Sequence, residues 1–397
     1  MSDPGKEGYH GPALKTQNPD THRMSTHRMS DRTPAESTHT QLRVHRAQHD
    51  RLERVELGPV PDAAEGEAVL RLSSFALTTN NITYAVFGEA LRYWQFFPVD
   101  SEWGLLPVWG YAEVVDSRCP GIESGQRFYG YYPLASHLVV RPGKKGDRAF
   151  RDDAEHRRDL PEIYNWYQRT DGDPNHDPGA EPLHAIYRPL FVTAFGLADE
   201  LADKNYHGAN RVVLSSASSK TAYAAAFCMG RNPGPTRVGL TSSSNRAFVK
   251  RLGLYDEVLD YGQVDQLDPG IPTQYVDVAG NPDLQQRIHR HLGDRLVHDC
   301  AVGAAHSADP PRPAADLPGP APEFFFAPDW IARRQKEWGA AGFEQNLAEA
   351  TAAFYQFVIQ HKLLDLRIGN GLDDARSVLA ELLAGRVDPA AGHVIRL

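Results

Sequence analysis

Cysteine is scarce in this chain, with 3 in 397 residues, at Cys119, Cys228 and Cys300. They lie far apart, with no CxxC pair and no CxxC…HxxxH spacing, which excludes a disulfide framework and a structural zinc site. A reducing cytoplasm is the expected compartment. Long apolar runs are missing as well. None approaches the roughly 20 residues that span a bilayer, and the N-terminus lacks the apolar core of a secretory signal, so no membrane partner is expected. Positive charge is not in excess: 42 Lys and Arg stand against 51 Asp and Glu, a formal charge of −9. That balance excludes the basic footprint of a nucleic-acid binder. What the chain does have is 41% hydrophobic residues, enough for real cores, and a length that suggests two or three domains.

Residues 1–40 are rich in Pro, Ser, Thr, His and Asp and contain a tandem repeat, Thr21-His22-Arg23-Met24-Ser25 followed by Thr26-His27-Arg28-Met29-Ser30. So little apolar surface cannot offset the entropy of ordering, and the segment reads as a disordered leader. From residue 41 to about 190 the pattern is short strand-like runs, among them Leu42–His45, Ala68–Leu72, Tyr111–Val115 and His137–Val140, punctuated by Gly and Pro. A small barrel or sandwich is expected there, interrupted by a charged insertion of irregular composition at 142–181. Within that insertion Asp171, Asp173, Asn175 and Asp177 imitate the start of a calcium loop. The glycine such a loop requires is His176, and its twelfth position is Pro182, so calcium is not expected.

After Arg211 the rhythm becomes strand, tight turn, helix, repeated. Arg211–Leu214, Arg237–Thr241, Glu257–Tyr261, Tyr275–Val278, Arg295–Asp299 and Phe324–Phe326 read as strands, with helices at Thr221–Met229 and Asn245–Leu252 between the first three. Buried strands alternating with helices predict an α/β unit with a doubly wound parallel sheet of the Rossmann type, over 191–360. Leu372–Leu383 then reads as an amphipathic helix and His393–Leu397 as a terminal strand, in a C-terminal piece at 361–397.

The turn after the first of these strands, Ser215 to Thr221, is made of small polar residues. A strand that turns abruptly into a helix exposes backbone N–H groups and a positive helix end, which suits a pyrophosphate. Lys220-Thr221 is not a P-loop, because Leu214 and Ser219 stand where that motif needs glycine. Nor is it a serine nucleophile elbow, since Ser216 and Ser218 have Leu214 and Lys220 two positions away.

The order of these elements resembles the medium-chain dehydrogenase/reductase superfamily, in its zinc-free quinone and enoyl reductase branch, over residues 42–397. Within that branch the chain looks like an uncharacterised family of reductase-like proteins known mainly as a domain of unknown function. The resemblance is carried by Asp116…Gly125-Gln126-Arg127-Phe128-Tyr129-Gly130, Pro189–Ala194, Lys250–Val258, Val276–Asn281 and Gly385…Val394 in shared order. It implies a GroES-like β-barrel catalytic domain at 41–190 beside the Rossmann-type domain, an NADP(H) cofactor, a homodimer, and a small-molecule substrate such as an aromatic or enone compound. The superfamily's AxxGxxG turn falls here on Ser216, Ser219 and Ala222, where a Cβ at Ser219 crowds the phosphate approach. At the end of the second strand the acidic residue that would select NAD is replaced by Thr241-Ser242-Ser243-Ser244-Asn245-Arg246, and hydroxyls with a cation suit a 2′-phosphate. The candidate cofactor set is therefore Ser216, Ser218, Ser219, Lys220, Thr221, Ser242, Arg246, Tyr261 and Gly303.

The zinc-ligand motif of alcohol dehydrogenases is replaced by Gly110-Tyr111-Ala112-Glu113, with no cysteine before Cys119. No metal is expected, and reduction of an activated alkene or quinone fits better than alcohol oxidation. The resemblance places Tyr84, with Asn80 or Asn81, beside the nicotinamide. Tyr164, Tyr167 and Arg169 form a patch typical of the unknown-function family and are candidates for lining the pocket. Two alternatives stand beside the NADPH-dependent reductase: a non-redox lyase or isomerase using Tyr164, Tyr167 and Arg169, and a non-catalytic binding protein whose phosphate turn has degenerated.

Overall fold

A computed structural model describes residues 38–170, 176–231, 233–303 and 317–397. The leader repeat, Asp171, Asp173 and Asn175, and residues 304–316 lie outside the described residues. The first strand, Thr38–His45, begins inside the segment read as leader. Its ladder with Leu52–Pro59, and the bond from the Thr40 amide to Ser136 Oγ at 2.9 Å, hold residues 38–40 in the sheet.

Six parallel strands form the sheet that the β/α alternation predicted. Their spatial order is Glu257–Asp260, Thr236–Thr241, Arg211–Leu214, Thr273–Asp277, Leu296–Ala301 and Glu323–Phe324. This is the doubly wound order, with its reversal between Arg211–Leu214 and Thr273–Asp277. Val212, Val213 and Leu214 are fully buried, as required of a central strand covered on both faces. At its end Ser219 caps the helix Lys220–Met229, its Oγ accepting from the Ala222 amide at 3.3 Å.

The barrel sheet runs Asp365–Asn370, Ala391–Arg396, Ala68–Leu77, Pro107–Ser117, Arg127–Pro133, Trp166–Arg169, Ala149–Asp152 and Pro142–Lys145, with His137–Val140 also paired to Ala68–Leu77. The C-terminal strand Ala391–Arg396 thus returns antiparallel to Ala68–Leu77. The charged insertion is not irregular. It extends this sheet by three strands, because Phe150 and Tyr167 alternate inward and bury their rings between half-buried neighbours.

Two long helices bridge the halves. Glu181–Asp203 runs unbroken across the boundary expected at 190/191. Ala327–Gln360 was not foreseen, because Gly339 at φ 73° interrupts it and resets the phase of its apolar stripe. The pair is clamped by Asp199, whose Oδ2 accepts from Trp330 Nε1 at 2.8 Å and from Arg334 Nε at 2.6 Å. Among the described residues no helix is long and apolar enough to cross a membrane.

Candidate functional site

In a doubly wound sheet the ends of parallel strands converge on one edge, and ligands bind at the carboxyl side. Ser216–Thr221, Ser242, Tyr261 and Gly303 all follow strands of the parallel sheet and share that edge. The turn is held from below by Asp277, whose Oδ1 accepts from Ser215 Oγ at 2.7 Å, Tyr275 Oη at 3.0 Å and the Gly280 amide at 3.0 Å. Burial raises the Asp277 carboxyl to about 6. Ser216 adopts φ 49°, the left-handed conformation for which a glycine is normally chosen. Its amide donates to Tyr261 Oη at 3.2 Å, and burial pushes that phenol up to about 12. Ser218 Oγ accepts from Thr241 Oγ1 at 3.4 Å and Asn245 Nδ2 at 3.2 Å.

The Lys220 side chain departs from the expected role. Its ammonium leaves the turn and donates to the carbonyls of Pro389 at 3.1 Å and Ala391 at 2.7 Å, and burial lowers its pKa to about 8. At the helix start the amides of Lys220 and Thr221 remain without a partner among the described residues, as first-turn donors do. At the second strand's end, Ser242 Oγ lies 2.9 Å from Ser244 Oγ. Arg246 Nη1 lies 3.7 Å from Asp260 Oδ2, and its Nε is buried without a partner among the described residues. These orphan donors fit a diphosphate and a 2′-phosphate, so the residues present suit a dinucleotide despite the missing glycines.

A cavity of about 650 Å³ opens against the barrel side of this edge. Tyr84, Tyr93, Trp109 and Tyr164 form its aromatic floor, and Val302 joins it to the end of the fifth parallel strand. There Gly303 approaches so closely that an added Cβ would sit 3.3 Å from the Val278 carbonyl and 3.7 Å from Thr83 Oγ1. Tyr84 Oη accepts from Trp109 Nε1 at 2.9 Å, and Tyr93 and Tyr164 share a hydroxyl contact of 3.3 Å. Asn80, not Asn81, lines the cavity. Asn81 is spent on the backbone, accepting from the Thr78 amide at 2.8 Å and donating to the Pro107 carbonyl at 2.9 Å.

The patch read in the insertion is divided by its secondary structure. Residues of the strand Trp166–Arg169 point alternately to opposite faces, and it is Trp166 and Gln168 that line the cavity. Tyr167 and Arg169 take the other face. The Tyr167 ring packs on the backbone at Gly130, where an added Cβ would meet its Cδ1 at 2.4 Å. Its hydroxyl accepts from Arg157 Nη1 and donates to the Tyr131 carbonyl, both at 2.9 Å. Arg157 is 1% exposed and paired with Asp152 at 2.9 Å. Tyr167→Phe is therefore expected to cost about 1–3 kcal/mol of stability, by stranding a buried charge donor and a carbonyl. Its cofactor affinity and turnover should match those of the parent. Denaturant melts beside ligand titration check this, and a stable variant with altered turnover would return Tyr167 to the mechanism.

The residues that sequence reading missed are Arg188 and Tyr129. Arg188 lines the cavity one residue before the quoted Pro189–Ala194 segment, with its guanidinium 4.8 Å over the Tyr129 ring. Tyr129 also lines it, and its Oη is buried without a partner among the described residues. Tyr129 stood inside a turn motif and Arg188 beside a helix motif, so neither spacing marked them as pocket residues. Among the described residues no group of three His, Cys, Asp or Glu side chains is placed to hold a metal ion.

Solved structures similar in fold include CurA from Vibrio vulnificus in complex with NADPH, at 15% identity and a TM-score of 0.56, covering 90% of this chain and 98% of that one. A putative NADPH:quinone reductase from Mesorhizobium loti matches at 12% identity and a TM-score of 0.58, covering 91% and 99%. The yhdH oxidoreductase from Salmonella enterica in complex with NADP matches at 14% identity and 0.53, covering 90% and 99%. At such identities the likeness is one of fold, and it establishes the barrel-plus-Rossmann architecture. No curated protein matches the chain in sequence. A family model described as protein of unknown function (DUF2855) matches residues 75–388, most of the chain, and the protein belongs to that family.

Proposed function

We propose that the protein is an NADPH-dependent, zinc-independent reductase of an activated alkene or quinone. The observation that carries this reading is the junction at Val302–Gly303, where the aromatic cavity meets the carboxyl edge of the parallel sheet. NADPH, when bound, supplies a hydride equivalent. The amides of Lys220 and Thr221 would hold its diphosphate, and Ser242 with Arg246 its 2′-phosphate. Aromatic walls exclude water from the reacting end. Tyr84, whose hydroxyl accepts from Trp109, keeps its own proton to donate to a substrate oxygen that gains negative charge. The fold likeness to CurA in complex with NADPH and to the yhdH oxidoreductase in complex with NADP supports the same reading. The lyase or isomerase alternative needs Tyr167 and Arg169 in the cavity, and their positions on the opposite strand face do not favour it.

The test is a fluorescence titration with NADPH, followed by an absorbance assay of NADPH oxidation against a panel of enones and quinones. Saturable binding with enone- or quinone-dependent oxidation is expected. Failure to bind NADPH would overturn the reductase reading and leave the two alternatives that need no dinucleotide.

A further inference from the structure

The cavity wall carries a pair of polar groups that the protein leaves unanswered. Tyr129, on Arg127–Pro133, and Gln168, on Trp166–Arg169, stand directly opposite one another across an antiparallel ladder, and Gln168 pairs on its other side with Ala149. Residues opposite one another in such a ladder project to the same face, and all three line the cavity. Tyr129 is 3% exposed, and its Oη is buried without a partner among the described residues. Gln168 Oε1 is buried without one too. The Ala149 methyl group offers a partner to neither. A buried polar atom left in this way costs stability and calls for a specific reason.

The two atoms have complementary needs. Burial holds the Tyr129 phenol well above its ordinary range, so it keeps its proton and needs an acceptor. Gln168 Oε1 needs a donor. A hydroxyl meets both needs with one oxygen, accepting from Tyr129 and donating to Gln168, whereas a carbonyl, an ether or a carboxylate meets only the first. Trp109 fixes where such a hydroxyl lies relative to the reacting end. Its ring stacks on Tyr129, with centroids 5.7 Å and planes 20° apart, while its Nε1 donates to Tyr84 Oη at 2.9 Å. One indole thus separates the Tyr129–Gln168 pair from Tyr84.

We propose that the substrate is a flat conjugated molecule carrying a free hydroxyl, which Tyr129 and Gln168 hold at the end remote from Tyr84. Its conjugated body spans the Trp109 ring, and the oxygen that gains charge faces Tyr84. This names the substrate class of the site read above as the reductase cavity, and it rests on that reading only for the cavity's role.

The experiment uses the full chain without cofactor and three probes that share one conjugated body: benzylideneacetone, its para-hydroxy derivative and its para-methoxy derivative. The hydroxyl donates and accepts, the methoxy oxygen only accepts, and the unsubstituted ring does neither. Isothermal calorimetry at a pH where the phenol is neutral should show the hydroxy compound binding at least about tenfold more tightly than either of the others, the usual worth of two neutral hydrogen bonds. The preference should not change with added salt, because no charge takes part. Gln168→Met should abolish it and leave benzylideneacetone affinity unchanged, whereas Gln168→Glu, which keeps an acceptor oxygen, should retain it. Tyr129→Phe should weaken the hydroxy compound several-fold and keep or raise the melting temperature, since the hydroxyl it removes has no partner among the described residues. Equal affinity for the hydroxy compound and benzylideneacetone, with a lowered melting temperature for Tyr129→Phe, would mean that water satisfies the pair and would overturn the proposal. A preference that salt removes, or one that survives Gln168→Met, would overturn it as well. Since no NADPH is present, absence of NADPH oxidation would count against the reductase reading alone, and loss of the hydroxyl preference against this one alone.

Discussion

Tyr84→Phe is expected to reduce kcat for NADPH-dependent reduction by about 10²-fold or more, the usual worth of a preorganised donor facing a developing oxyanion. Cofactor affinity should be unchanged. Tyr84 is 4% exposed and lines the cavity, and its hydroxyl receives the Trp109 N–H at 2.9 Å. Asn80 and Tyr131 also stabilise this hydroxyl, and because the Trp109 indole can only donate, the phenolic proton is not spent on that bond. Burial, and then the neighbouring Tyr164, hold its pKa well above the ordinary phenol value. The hydroxyl therefore stays protonated through neutral pH and beyond the usual tyrosine range of about 10. Its contribution to turnover should stay flat with rising pH over that whole interval, so a basic limb with a midpoint below that value belongs to another group. The phenylalanine variant also strands the Trp109 N–H, which predicts a stability loss of about 1–3 kcal/mol. Steady-state kinetics beside a melting curve separates the two effects, and a folded variant with parental kcat would exclude Tyr84 as the donor.

Arg246→Ala should weaken NADPH binding by more than about tenfold, corresponding to loss of a charged contact worth about 1.5–3 kcal/mol. NADH binding should stay the same or improve. The structure sharpens this expectation, because Arg246 Nη1 stands 3.7 Å from Asp260 Oδ2. Removing the guanidinium deletes the phosphate contact and leaves a carboxylate that repels a 2′-phosphate yet can accept from a ribose hydroxyl. Asp260→Asn is the informative companion: it should tighten NADPH and have little effect on NADH. Calorimetry on the two variants with both cofactors decides the matter. If Arg246→Ala binds NADPH as the parent does, the assignment of the 2′-phosphate site fails.

The family match and the architecture were legible in the residues because both depend on local pattern. Short buried runs such as Val212–Leu214, each followed by a small-residue turn and a helix, require a parallel sheet. Once the strands are parallel, every residue that follows one, from Ser216 to Gly303, must reach the same edge. Two kinds of information were beyond that reading. One is which face a short element presents: a single step of the pleat puts Trp166 and Gln168 in the cavity and Tyr167 beneath it. Likewise, one residue of helix phase exchanges Asn80 for Asn81. The other is who stands opposite whom. Arg246 meets Asp260, Lys220 meets the carbonyls of Pro389 and Ala391, and the hairpin at Lys144 joins Arg188 around one cavity. Propensity and periodicity act over a few residues along the chain, whereas charge pairing and cavity shape act over a few ångströms in space. Sequence alone therefore determined the sheet and the edge that its strand ends share, and the tertiary packing decided which side chains face the cavity and with what charge.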